Sequence, residues 1–146
     1  MAQGERALRS GTAVRLASVP VDPRDLLRGD YVILRYAVED TRGLPGPVVR
    51  DGDRVYLRLA PKGALWTAVG YERGVADTGD GTVSVRGRVE GVDDRGPLRV
   101  ALDDLGRYYV PEGRGVLEGA PEVVVRVGAD GGARIDRLEL DGRRVP

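Results

Sequence analysis

Two clusters in this sequence carry side chains whose types and spacing could do chemistry. In VDPRDLLRGDYVILRY, Arg24, Arg28 and Asp30 stand just ahead of Tyr31 and Tyr36. A carboxylate between guanidiniums makes charge-assisted hydrogen bonds, either to fix a chain corner or to hold a polar ligand. In RYYVPEGRGVLE, Tyr108 and Tyr109 precede Glu112 and Glu118. Tyrosines beside carboxylates suit sugars and peptides, since the ring offers an apolar face and the hydroxyl a polar tip. Asp30, Glu112 and Glu118 could also supply the paired carboxylates of a glycoside hydrolase, whose mechanism is set by their separation. These nine residues are the candidate binding positions, and no catalytic or metal-ligating residue is assigned.

Composition removes most other chemistry. Cys and His are both absent, which excludes thiol nucleophiles, ordinary zinc and haem sites and the usual neutral-pH proton shuttle. No cofactor is expected. DTGDGT and VDDRGPL cluster oxygen ligands but lack the spacing of a calcium loop, and both read as turns. Twenty-three basic residues balance twenty-three acidic ones, so no global field draws the chain to nucleic acid. With no Phe, one Trp and six Tyr, a base-stacking platform is also poorly supplied.

The elements that must position these clusters are strands. Asp-Gly pairs at Asp51-Gly52, Asp80-Gly81, Asp130-Gly131 and Asp141-Gly142 punctuate Val-rich runs, and such pairs favour hairpin turns. Strands are expected near Thr12 to Ala17, Asp30 to Glu39, Arg54 to Leu59, Leu65 to Tyr71, Thr82 to Val92, Leu98 to Leu102, Tyr108 to Val110, Glu122 to Gly128 and Ala133 to Leu140. The fold class is therefore all-β, a single-domain sandwich or partly open barrel of about eight or nine strands with one or two short helical turns. In the closing hairpin, Val123, Val125 and Val127 share a face, while Ile135 and Leu138 differ in parity. A bulge near Asp136-Arg137 would restore a common buried side.

Helical signals are confined to two short segments. In DPRDLLRG, Asp22 suits an N-cap, Pro23 the first helical position and Gly29 the left-handed stop, with Arg28 in the last turn. PEGRGVLEGAPE could add one or two turns before Pro121. EDTRGLPGPVVRDGD reads as a long loop and as the segment expected to move most.

For both clusters a structural role is the simpler account. Asp30 would tie a corner through backbone amides, Arg24 or Arg28, ahead of a strand with Val32, Leu34 and Tyr36 on one side and Tyr31 and Ile33 on the other. A tyrosine plugging one end of the fold, with Glu112 securing a loop, would explain the second cluster.

Gly29, Asp30, Tyr31, Leu34 and Tyr36 also spell G-D-Y-x-x-L-x-Y. Together with VPVDPRDLLRGDY upstream, and YYVPEGRGVLEG and ARIDRLELDG downstream, this string resembles the GDYXXLXY protein family over nearly the whole chain. The resemblance implies a bacterial domain of unknown activity, tethered outside the cytoplasmic membrane by an N-terminal helix. It also implies an integral membrane protein encoded nearby as the partner. Here residues 1–10 are polar and charged, and are expected to be a tether remnant or flexible N-terminus ahead of one β domain over 11–146. The native form is expected to carry its anchor upstream. PRDLLRGDYVIL is also somewhat similar to the nucleophile region of signal peptidases, but Pro20 stands where the Ser is needed and Lys62 lies in a Pro-Gly turn. The expected function is a non-catalytic extracytoplasmic binding or interaction module of unknown ligand. The alternative is a carboxylate-dependent hydrolase acting on an envelope polymer.

Overall fold

The computed structural model describes residues 11–20, 27–28, 31–75, 80–109 and 120–144, with only the backbone at 27–28. The chain is all-β. Its strands are β1 (Thr12–Ala17), β2 (Leu27–Arg28), β3 (Tyr31–Ile33), β4 (Arg54–Lys62), β5 (Leu65–Glu72), β6 (Val83–Asp93), β7 (Gly96–Ala101), β8 (Arg107–Tyr109), β9 (Glu122–Val127), β10 (Ala133–Leu140) and β11 (Arg143–Arg144). They form three antiparallel sheets, in the orders β1-β9-β10-β11, β5-β4-β6-β7 and β2-β3-β8.

Alternation builds the first sheet. Val14 lies opposite Val125 and Leu16 opposite Val123, and all four are fully buried. Asp130-Gly131 forms the β9–β10 turn with Gly131 at φ 86°, and the Asp130 carboxylate accepts the Gly132 N–H at 2.9 Å. The register slips between Ile135 and Arg137. Ile135 therefore meets Val125 while Leu138 meets Val123, so one extra residue returns both apolar side chains to one face.

In the second sheet, Val55, Leu57 and Leu59 of β4 are fully buried between neighbours on either side. Buried side chains from all three sheets join in one apolar cluster that includes Val32, Leu57, Val89 and Leu138. Burial of this kind is the main favourable term holding such a fold together.

Three expectations need correction. The first is the capped helical turn, because Leu27–Arg28 is a strand, with Leu27 paired to Val32 and Arg28 to Tyr31. The overlooked signal is the two-residue spacer Gly29-Asp30 between strand-forming residues, which is hairpin chemistry hidden behind Asp-Pro. Residues 21–26, 29–30 and 110–119, which carry the remainder of both expected helical segments, lie outside the described residues.

The second correction concerns the strand expected over Asp30 to Glu39. Its regular part ends at Ile33; Tyr36 makes a single bridge with Ser18, and Ala37–Glu39 is a 3-10 turn. The cause is local: Glu39 Oε1 accepts the Tyr36 N–H at 2.8 Å, offering the backbone a partner that competes with a strand ladder. A second 3-10 turn occupies Asp103–Leu105. The third correction is to the loop over 40–53, expected to be loose. Thr41 Oγ1 donates to the Pro97 carbonyl, Tyr71 N–H to that of Pro45 and the Tyr71 hydroxyl to that of Pro47, so the loop is tied along its length to β5 and β7.

Candidate functional site

The small sheet sorts its residues by parity. Val32, Leu34 and Tyr36 point into the core and are at most 5 % exposed. Tyr31, Ile33 and Arg35 fall on the opposite face and line a cavity of about 600 Å³ that opens to solvent. Arg107, paired with Ile33 across β3 and β8, lines it too. The facing wall comes from Glu90, Arg99, Leu102 and Asp103, with Glu39 at its base. This volume lies within the roughly 300–1,000 Å³ typical of small-molecule sites.

The charged wall is an alternating network. Glu39 Oε1 meets Arg99 at 3.0 Å, and its Oε2 accepts the Leu102 N–H at 2.8 Å. Arg99 continues to Glu90 at 2.7 Å. Arg88 bonds Glu90 at 3.2 Å and Asp103 at 3.1 Å. Each carboxylate is thus engaged by a guanidinium, and the most buried one also by two backbone donors. Burial works against the charge on Arg99, but Glu39 and Glu90 outweigh it and raise its pKa. Burial, then the charge on Glu39, pushes the Tyr36 phenol far above its ordinary value. Its hydroxyl donates to the Leu105 carbonyl at 2.7 Å.

The other wall is aromatic and cationic. Tyr31 and Tyr109 meet edge to face, with centroids 6.0 Å apart and planes at 76°. The Arg107 guanidinium lies 5.8 Å from the Tyr31 ring centre, within cation–π range. Arg35 is exposed, and among the described residues its side chain has no carboxylate partner. The same holds for Arg107. Among the described residues, the cavity's arginine–carboxylate pairs thus lie on one wall, while Arg35 and Arg107 on the other face solvent without an acidic partner.

Of the residues singled out in the sequence, Tyr31 lines the cavity, and Tyr109 meets its ring edge to face. Tyr36 is built into the core, and Tyr108 is half-buried and packs against it. Arg28 is placed by its backbone beside Tyr31. Arg24, Asp30, Glu112 and Glu118 lie outside the described residues. Sequence reasoning missed Arg35, Glu39, Glu90, Arg99, Asp103 and Arg107. Only Glu39 carried a local signal, as an acid three residues after Tyr36, the spacing of a reciprocal cap. No group of side chains suited to a metal ion occurs among the described residues.

No curated protein and no solved structure matches this chain. The sequence model of the GDYXXLXY protein family matches residues 1–138. Three of the residues that spell its string, Tyr31, Leu34 and Tyr36, lie on the segment that runs from β3 to the 3-10 turn between cavity and core. With all but its last eight residues covered by that match, the chain belongs to the GDYXXLXY protein family.

Proposed function

We propose that this chain is a non-catalytic binding module, natively anchored outside the cytoplasmic membrane, that takes a ligand in the cavity between β3, β8 and the Glu39–Arg99–Glu90 network. One observation carries the reading. The described carboxylates of the cavity, Glu39, Glu90 and Asp103, are engaged by arginine and backbone donors, while the aromatic wall offers Tyr31, Arg35 and Arg107 to solvent. A hydrolase working through paired carboxyls needs one free to donate a proton and another free to attack or activate water. Glu39, Glu90 and Asp103 are instead held ionised by arginine, suited to accepting hydrogen bonds rather than to passing a proton. The location and a membrane-protein partner are supported by the family's character alone.

Amide NMR with a panel of envelope-type saccharides and peptides tests this function. The expected result is shifts concentrated at Tyr31, Ile33 and Arg107 with every added compound recovered intact. Turnover of any of them that survives Tyr31→Ala, or shifts confined to other sheets, would count against it. Capture of an integral membrane protein by the anchored form, weakened by Tyr31→Ala, is the expected partner result.

A further inference from the structure

Two features of the cavity keep hydrogen-bonding capacity toward a ligand. Ile33 pairs with Arg107, and the Leu34 N–H donates to the Gly106 carbonyl at 2.9 Å. One further bond thus follows the end of the ladder, and Arg35 and Arg107 line the same cavity beside Tyr31. Both guanidiniums are solvent-facing, and neither has a carboxylate partner among the described residues. The forked donors of arginine match a planar carboxylate better than any other side chain does. Across the cavity, Glu90 and Asp103 each keep acceptor capacity, because an ionised carboxylate has about four lone-pair sites and these have only arginine donors upon them.

A ligand matching this lining presents a carboxylate to Arg35 and Arg107, an apolar ring face to Tyr31 and hydroxyl donors to Glu90 and Asp103. Those three requirements meet in a sugar acid. We infer that the cavity is a subsite for a hexuronate residue of an acidic glycan, an assignment that rests on the binding-module reading. The pyranose ring supplies the apolar face, its C6 carboxylate the anion and its secondary hydroxyls the donors. An acidic peptide would satisfy the two arginines but would leave Glu90 and Asp103 facing few donors, or facing its own carboxylates.

The test is a titration of the protein with trigalacturonate, its methyl ester, maltotriose and triglutamate, followed by amide and arginine side-chain NMR. Trigalacturonate is expected to shift Tyr31, Ile33 and the Arg35 and Arg107 guanidiniums. Its methyl ester is expected to bind weaker by roughly ten-fold or more, the loss of one charge-assisted contact. Arg35→Gln and Arg107→Gln, both surface changes, should each weaken trigalacturonate to a similar degree. Arg134→Gln on β10 should not. Equal binding of maltotriose and insensitivity to both arginine changes would overturn the uronate assignment and leave the binding module standing. Triglutamate binding as tightly as trigalacturonate would replace the glycan with a peptide. Absence of any shift at the cavity would end the assignment, and the wider panel above would then decide the module reading by itself.

Discussion

Glu39 and Arg99 meet at 3.0 Å at the base of the cavity, and the two are exposed very unequally, the Glu39 side chain at 4 % and Arg99 at 26 %. The acid is thus the buried partner, and it joins the 3-10 turn at Tyr36 to the end of β7 through Leu102.

Removing that acid strands both backbone donors and the inner face of Arg99. Glu39→Ala is expected to cost roughly 2–5 kcal/mol, chiefly from two buried backbone donors left without an acceptor at about 1–3 kcal/mol each, since Arg99 is partly exposed and keeps Glu90. Glu39→Gln keeps one acceptor oxygen and should cost less. Urea unfolding of the two variants checks the order, and equal stability to the parent would show that the turn is held by something else.

Tyr36 supplies a pH dependence with a definite sign. Its folded phenol stays protonated far above the ordinary range because burial, then Glu39, disfavours the phenolate. In the unfolded chain the group titrates near ~10. Below that the contribution is intact; above it the unfolded state alone releases the proton, and stability falls by about 1.4 kcal/mol per pH unit from this group. Tyr36→Phe should flatten the alkaline decline while lowering neutral-pH stability by about 1–3 kcal/mol, since the Leu105 carbonyl loses its donor. Phenolate absorbance followed alongside unfolding would show Tyr36 ionising only as the chain opens. Phenolate formation in the folded state would contradict its burial.

These two residues also mark where the sequence was legible. Strands β1 and β10 were readable to the residue, and the bulge at Ile135 to Arg137 followed from parity, because one-sided burial writes an alternating pattern into neighbouring positions. The end of β3 was not readable in the same way. What bends the chain there is a carboxylate shared between Tyr36 and Leu102, sixty-three residues beyond Glu39, and a single sequence shows one partner without the other. The cavity wall has the same origin: Glu90, Arg99 and Asp103 look like ordinary solvated charges until β6 and β7 are laid beside the small sheet. Tyr31 and Tyr109 were visible as candidates because exposed aromatics are conspicuous in a chain with so few.

The loop over 40–53 is fixed by a close approach. Gly46 lies against the Tyr71 ring, and a Cβ there would fall 2.5 Å from ring carbons Cε1 and Cζ. Gly46→Ala must therefore displace the loop or the ring, at an expected cost of about 1–3 kcal/mol as in an overpacked core. Tyr71→Ala should relieve that cost, so the double variant is expected to be more stable than the sum of the single effects. Strict additivity would mean that the two residues do not touch in solution.

Asp40 offers a titration that reports on the start of the same loop. Arg42 donates through Nε at 2.9 Å and a terminal nitrogen at 2.8 Å to its two carboxylate oxygens, and these side-chain bonds, with the Arg42 backbone N–H, hold the Asp40 pKa down to about 2. A carboxyl depressed in the folded state adds stability above its unfolded pKa, near ~3.9, and loses it as pH falls through about 2. The pair is exposed, with side chains 70 % and 53 % accessible for Arg42 and Asp40, so solvent screening leaves its share of stability small. The titration itself is the sharper readout. Carbon NMR of the Asp40 carboxyl should show a midpoint near 2 in the parent and a rise toward the ordinary aspartate range in Arg42→Gln. Salt should raise the parent's midpoint in the same direction by screening the guanidinium. A midpoint already ordinary in the parent would mean that the fork between Arg42 and Asp40 is not populated, and the loop would then be held by its bonds to β5, β6 and β7.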